Sequence, residues 1–317
     1  ECARLARAMT FKNAAAGLPH GGGKAILIGD PRMPLEQKEI LIRGLACALQ
    51  EVEQYIFAPD MGTNEECMAW VKDEINRVVG LPREVGGIPL DEIGATGWGL
   101  SHVVDETLKF CDFTISGARI AVQGFGAVGK HVSRFLNQQG AVIVAVSDSR
   151  GTIYNDNGLD VETLSAIKAQ GKSVIEYEDG EKRDREDIID IECDIWSPAA
   201  RPDVIREDNV HRLNTRLVVE GANIPITHGA EKILSEKGII CVPDFIANAG
   251  GVICAAMEYQ SASQSAAMAT IEEKLRRNTI EVLQTVKDEQ ILPREAAMAR
   301  ARKRLDRALS FCRWNLV

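Results

Sequence analysis

Two lysines and an aspartate have the chemistry to move protons. Lys12 and Lys24 stand on either side of an apolar segment in "FKNAAAGLPHGGGKA", with three glycines just ahead of Lys24. Glycine removes side-chain bulk and permits backbone angles other residues avoid, so a ligand can approach such a loop closely. A lysine held in a desolvated cleft loses stabilisation of its charge, and its pKa falls toward neutrality. It can then serve as a general base. Asp60, in "APDMGT", directly follows a strand-like run, which is a common station for a catalytic carboxylate. The same position also suits a turn or N-cap aspartate. By residue type alone, both lysines fit equally well as solvated surface groups.

A second chemical signal is "IAVQGFGAVGKHV", which sets Gly124, Gly126 and Gly129 as G-x-G-x-x-G. The motif is weak by itself. Here it follows a strand-like run, opens a helix-like one and precedes a second apolar run ending at Asp148, the context that a dinucleotide site requires. Gly124 would make the tight turn, Gly126 would admit the pyrophosphate, and Gly129 would let helix and strand pack. The helix N-terminus would then face the phosphates. In "SDSRG", Asp148 would bond ribose hydroxyls and oppose a 2′-phosphate, whereas Arg150 would attract one. The cofactor expected is therefore NAD or NADP.

These groups must be carried by regular elements. Residues 1–16 read as helix, 24–30 ("KAILIGD") as strand, and 34–52 as helix. Residues 55–60 ("YIFAPD") read as a second strand, and 64–80 as an amphipathic helix stopped near Gly80 and Pro82. From residue 118 strand-like and helix-like runs alternate, which argues for a parallel, doubly wound sheet. From Ala249 onward the pattern is helical. The fold expected is α/β with two domains. Residues 1–115 would form one domain and 116–248 a Rossmann-type domain, with 249–317 returning as helices to the first. A ligand cleft is expected between them.

Bulk properties narrow the function further. The chain has 317 residues, 45% of them hydrophobic, and a formal net charge of −9. An acidic chain without a basic block is a poor partner for nucleic acid or an anionic membrane. No apolar run approaches the ~18 residues of a spanning helix, and no signal peptide is visible. The eight cysteines form no C-x-x-C pair and the five histidines no H-E-x-x-H, so no metal site is expected. Reduced, buried thiols in a cytoplasmic protein are the expectation. Because residue 1 is Glu and lies inside a helical run, a fragment or trimmed product is expected.

The blocks "MTFKNAAAGLPHGGGKA", "APDMGTNEECMAWVKDE", "GGIPLDEIGATGWG", "GFGAVG", "VVEGAN" and "FIANAGGV", in that order over nearly the whole chain, resemble the glutamate/leucine/phenylalanine/valine dehydrogenase superfamily, nearest to its glutamate-type members. The resemblance implies oxidative deamination of an L-amino acid to its 2-oxo acid and ammonia, with hydride passing to a nicotinamide. It implies that Lys24 activates the attacking water, that Lys12 holds the substrate α-carboxylate, and that Asp60 shuttles protons to and from the amino group. Thr96 and Asn248 match positions near the nicotinamide, and Asn223 matches a cofactor or substrate contact. A homo-oligomer, often a hexamer in such enzymes, is implied as well.

The preferred amino acid is divided between two signals. "GLPHGGGKAILIGDP" resembles the leucine-type enzymes, whereas "APDMGTNEECMAW" and "VGGIPLDEIGATG" resemble the glutamate type. Glutamate enzymes read the side-chain carboxylate with a lysine upstream of the Lys12 position, ahead of residue 1 here, and with a serine where this chain has Ala255. Ala255 cannot donate a hydrogen bond, which favours an apolar substrate. Glutamate is the reading adopted, with a leucine- or valine-preferring enzyme as the alternative and a catalytically silent nucleotide-binding subunit as the rival from another class. Trp98 replaces an arginine common in the glutamate type, so cofactor contacts are expected to differ there. The tail "SFCRWNLV" matches no usual family ending.

Overall fold

The computed structural model describes residues 2–30 and 33–311. Helix α1 (Cys2–Ala15) turns its last turn inward, so that Lys12, Asn13, Ala14 and Ala15 are buried. Helices α2 (Leu35–Ala48) and α3 (Glu65–Ile75) pack around Ile42, Ala46, Phe57, Cys67, Met68, Val71, Val78 and Leu81, a core of their own. Asn64 starts α3 by accepting the Cys67 N–H, and Asn76 ends it in the left-handed region at φ 55°. The short α4 (Leu90–Ile93) leads into α5 (Ala95–Leu108), which is buried along most of its length.

Two expected strands do not form. Residues 24–30 have no regular structure, and Ile28 is 94% exposed. Residues 55–60 keep only an isolated bridge between Phe57 and Val78. A strand exists through the hydrogen bonds of its neighbour, and among the described residues neither segment finds a ladder partner.

The sheet begins with β1 (Arg119–Gln123), followed by α6 (Ala127–Gln138) and β2 (Val142–Ser147). It continues with β3 (Thr152–Tyr154), α7 (Val161–Ala169), β4 (Glu181–Arg183), β5 (Ile195–Pro198), β6 (Leu217–Val219), α8 (His228–Glu236) and β7 (Ile240–Val242). The spatial order is β4-β3-β2-β1-β5-β6-β7. From β2 across to β7 the pairing is parallel, as the alternating pattern predicts. The sheet is not parallel throughout, because β3 pairs antiparallel with β2 and β4 antiparallel with β3. At three residues each they are too short to show a periodicity, and β4 is entirely charged. β1 lies between β2 and β5, so the connections leave it in opposite directions and a crevice opens at the carboxyl ends of β1 and β5.

The chain closes with the short α9 (Asp244–Ala247), α10 (Gly250–Tyr259), α11 (Gln264–Glu289) and α12 (Pro293–Leu309). α11 packs along α5, α10 and α12, while α12 also lies against α1. One apolar core joins α1, α5, the faces of β1, β2 and β5–β7, and the C-terminal helices. Seven cysteines are described and all are free thiols. Cys67, Cys193, Cys241 and Cys254 are buried as expected, but Cys47 is exposed. Cys312 and most of the tail lie outside the described residues.

Candidate active site

The buried end of α1 delivers Lys12 at 6% exposure. Its Nζ donates to Asn223 Oδ1 at 2.8 Å. Burial pushes the Lys12 ammonium down to about 8; the Asp244 carboxylate opposes that shift and nearby Lys24 adds to it. Lys24 reaches the same region from the irregular segment after the glycines. Its ammonium donates directly to Asp60 Oδ2. Burial lowers the Lys24 pKa, with Cys2 opposing. Gly22 packs so tightly on α1 that a Cβ there would sit 2.2 Å from Ala6 O. Gly22 therefore serves a close backbone approach to the helix that carries Lys12.

Asp60 is placed by its own turn. Its backbone N–H donates to Thr63 Oγ1, whose hydroxyl donates back to Asp60 O, and Asp60 Oδ1 accepts the Met61 N–H. One carboxylate oxygen holds the loop and the other faces Lys24.

Asn223 joins the lysines to the sheet. It follows β6 in a loop whose next residue, Ile224, has φ 49°, a left-handed angle that is strained for a β-branched side chain. Asn248 Nδ2 donates to Gly221 O, Ala222 O and Asn223 Oδ1, while Asn248 Oδ1 is buried without a partner among the described residues. An orphaned buried carbonyl is the kind of group that a ligand amide satisfies. Thr96, in the first turn of α5, lies against the start of α10. A Cβ on Gly251 would be 3.0 Å from Thr96 Oγ1, and one on Gly250 2.3 Å from Ala95 O. Ala255, one turn after Gly251, shares that helix face.

The glycine loop has the form a dinucleotide needs. Gly124 has φ 98°, and a Cβ there would meet Ala200 at 2.6 Å. A Cβ on Gly129 would lie 1.8 Å from Gly124 O, so α6 can approach β1 only with glycine at that position. At Gly126 a Cβ would enter open space. Gly126 is the N-cap of α6 and supplies no side-chain cap, which leaves the first N–H groups of the helix free for an anion. The residues present fit a nicotinamide dinucleotide.

Asp148 is placed differently from its sequence reading. Its carboxylate turns inward at 8% exposure. Oδ1 accepts Arg150 N–H at 2.9 Å and Ser173 Oγ–H at 2.8 Å; Oδ2 accepts from Lys168 Nζ at 2.9 Å and Val174 N–H at 3.0 Å. Burial raises its pKa, but these four donors outweigh it and hold the carboxyl at about 2. The four lone-pair directions of the group are used. Arg150, at 62% exposure, stays at the surface, 4.0 Å from Glu176.

Two other placements were not legible. Trp98 is structural: its indole N–H donates to Met268 O at 3.2 Å, and its ring meets His102 and Phe135 edge-on. Asp244, which lies in no recognisable chemical motif, is the carboxylate felt by Lys12. Its only signal is an acid at the start of the short helix before Asn248.

Comparison with known proteins bears on these residues. Residues 86–311 match the family described as Glutamate/Leucine/Phenylalanine/Valine dehydrogenase, and residues 1–77 match Glu/Leu/Phe/Val dehydrogenase, dimerisation domain. A glutamate dehydrogenase of Aeropyrum pernix is 36% identical over 337 aligned positions, covering 99% of this chain and 80% of that protein. An NADP-specific glutamate dehydrogenase of Saccharolobus shibatae is 37% identical over 276 positions, covering 82% of this chain and 64% of that protein, under two thirds of its length. Among solved structures, a hetero-hexameric glutamate dehydrogenase from Thermus thermophilus in a leucine-bound form superposes with TM-score 0.88 at 30% identity. That match covers 97% of this chain and 77% of the other.

Proposed function

Since the chain belongs to the glutamate/leucine/phenylalanine/valine dehydrogenase family of amino-acid dehydrogenases, with NAD or NADP as cofactor, we propose that it oxidatively deaminates L-glutamate to its 2-oxo acid and ammonia. The observation that carries this reading is a buried cation, Lys12, beside a partly desolvated amine, Lys24, in contact with Asp60. The working division is residues 1–115 and 249–317 on one side of the cleft and 116–248 on the other.

Lys12 remains protonated at neutral pH and faces Asn223, so it holds the α-carboxylate and fixes Cα. Gly124, Gly126 and the N-terminus of α6 would hold the pyrophosphate of a bound dinucleotide, whose nicotinamide would supply the hydride acceptor that turns the Cα amine into an imine. Lys24, its pKa lowered by burial, takes a proton from the water that attacks the resulting imino carbon. Returned to the ammonium form, it stabilises the oxygen charge that develops there. Asp60, hydrogen-bonded to Lys24, accepts and returns protons at the departing nitrogen. Asn248 and Thr96 would line the nicotinamide side of the cleft.

The saturated Asp148 supports NADP over NAD. Lys168 matches its charge and its oxygens are engaged, so it opposes a 2′-phosphate less than a free aspartate would, and Arg150 is exposed beside it. Homo-oligomerisation is part of the proposal: Ile26, Ile28, Leu35, Ile40 and Met61 are exposed, and all lie within the segment that matches a dimerisation domain.

A spectrophotometric panel tests the reading, with glutamate, leucine, valine and phenylalanine run against both cofactors. Glutamate with NADP is the expected best pair. Leucine as the best substrate would establish the second reading, which Ala255 favours, and silence with all of them would point to a regulatory subunit. Lys24→Ala is expected to cut kcat by at least about a hundredfold, the scale of a lost general base, while NADPH still binds. An active variant overturns the role given to Lys24.

A further inference from the structure

Away from the reacting groups, the densest buried cluster of charge joins the C-terminal helix to the sheet. Arg294, in the first turn of α12, donates from Nη2 to both oxygens of Glu220 (3.0 and 2.8 Å), from Nη1 to Asp244 Oδ1 (2.9 Å) and from Nε to Glu231 Oε2 (3.2 Å). All three acids are buried. They come from the loop after β6, from α9 and from α8. Burial pushes Glu220 up to about 8, with Arg294 opposing and the neighbouring acids adding. Burial acts against the charge of Arg294, and the three carboxylates override it. A planar fork with five donors makes four bonds to three acids here, one more than the three donors of an ammonium allow.

The cluster continues into the site. Asp244 gives one oxygen to Arg294, and its other oxygen, Oδ2, accepts the N–H of Ile224 at 2.9 Å. Glu220 Oε2 in turn accepts the Asp244 N–H at 3.0 Å. Ile224 is the residue at φ 49°, and it adjoins Asn223, the acceptor of Lys12. An isoleucine at that angle is strained and persists only where its surroundings over-determine it. The Asp244 bond is one such constraint, and Arg294 orients Asp244.

We propose that Arg294 is a positioning residue for the substrate carboxylate: by holding Asp244 it keeps the loop at Ile224 in its left-handed form, and that sets Asn223 where it receives Lys12. The proposal rests on the reading of Lys12 given above. It makes α12, which touches neither lysine's ammonium, a determinant of substrate affinity.

The test uses the full chain. Arg294→Lys keeps a cation but loses the fork. It is expected to raise the KM for the amino acid about tenfold or more, leaving the NADPH dissociation constant, read by nicotinamide fluorescence, within about twofold of the parent. Ile224→Gly in the same background is expected to return the KM to within about threefold of the parent, because glycine takes a left-handed angle without support. Where Lys12→Ala itself raises the KM, an unchanged KM in Arg294→Lys, no recovery with glycine, or a parallel loss of NADPH affinity overturns the proposal and leaves Arg294 as a staple for α12. If Arg294→Lys does not fold, Asp244→Asn carries the same test: it retains an acceptor for Ile224 but weakens the hold of Arg294, and Ile224→Gly must again restore the KM. The rate at which an amine-directed reagent labels Lys12, followed by peptide mass spectrometry, reports its placement independently of turnover. That rate is expected to rise in Arg294→Lys, and an unchanged rate also overturns the proposal. Lys12→Ala separates the two readings. If it leaves the KM at the parent value while labelling of Lys12 accelerates in Arg294→Lys, the lysine is positioned as proposed and the carboxylate assignment is what fails.

Discussion

An ammonium with a pKa of about 8 keeps its proton through neutral pH and releases it as the medium turns alkaline. In the role proposed for Lys12, this gives carboxylate capture a definite pH dependence. The charged form binds, so affinity is full below about 8 and falls above it. The inhibition constant of a non-reacting carboxylate analogue, measured across that range, should rise on the alkaline side. Lys12→Arg should remove the rise, because a guanidinium does not titrate there; an alkaline rise that persists assigns the titration to another group. Arg150 sets a second expectation at this scale. Arg150→Asp should move the ratio of NADH to NADPH affinity toward NADH by about tenfold, the value of ~1.4 kcal/mol. An unchanged ratio removes Arg150 from cofactor choice. Both lysines, Asp60 and the three glycines were visible in the sequence because each sits in a short block whose chemistry is local. The saturation of Asp148 was not, because Lys168 and Ser173 come from a helix end and a turn that only the folded sheet brings beside it.

At the scale of elements, long apolar runs were readable and brief ones were not. β1, β2 and β5–β7 are buried on both faces and stand out as nearly continuous hydrophobic text. β3 is held by register with β2 and β4 by register with β3, which no local pattern encodes. Residues 24–30 are the converse: strongly apolar text that makes no ladder, since strand formation depends on a neighbour. The contact between α6 and β1 supports a prediction here. Gly129→Ala would drive a methyl group into Gly124 O. Relieving that overlap should cost about 1–3 kcal/mol in urea unfolding and weaken NADPH binding with it. A variant with parental stability and affinity would show that the loop relaxes freely.

Across the whole molecule, polar clasps bind the C-terminal helices to distant segments. Arg276 on α11 bonds His102, Asp105 and Glu106 of α5. Glu258 of α10 accepts the N–H groups of Gly80 and Leu81. Arg294 adds the third, and Asn278, midway along α11, reaches Ala15 O at the end of the helix that carries Lys12. None of these partnerships is written in the sequence, because each spans from tens of residues to more than two hundred. α11 runs 26 residues, about 39 Å at 1.5 Å per residue, and its buried stripe of Ile271, Leu275, Asn278, Thr279, Val282 and Leu283 faces elements from both ends of the chain. Its backbone amides therefore have no small opening that frees them. In heavy water the middle of α11 should take up deuterium last, at a rate set by global unfolding, well after the irregular residues 19–30 have exchanged. The helix is in effect the molecule's slowest clock, and its exchange rate in each variant gives the stability of the whole fold without a denaturant.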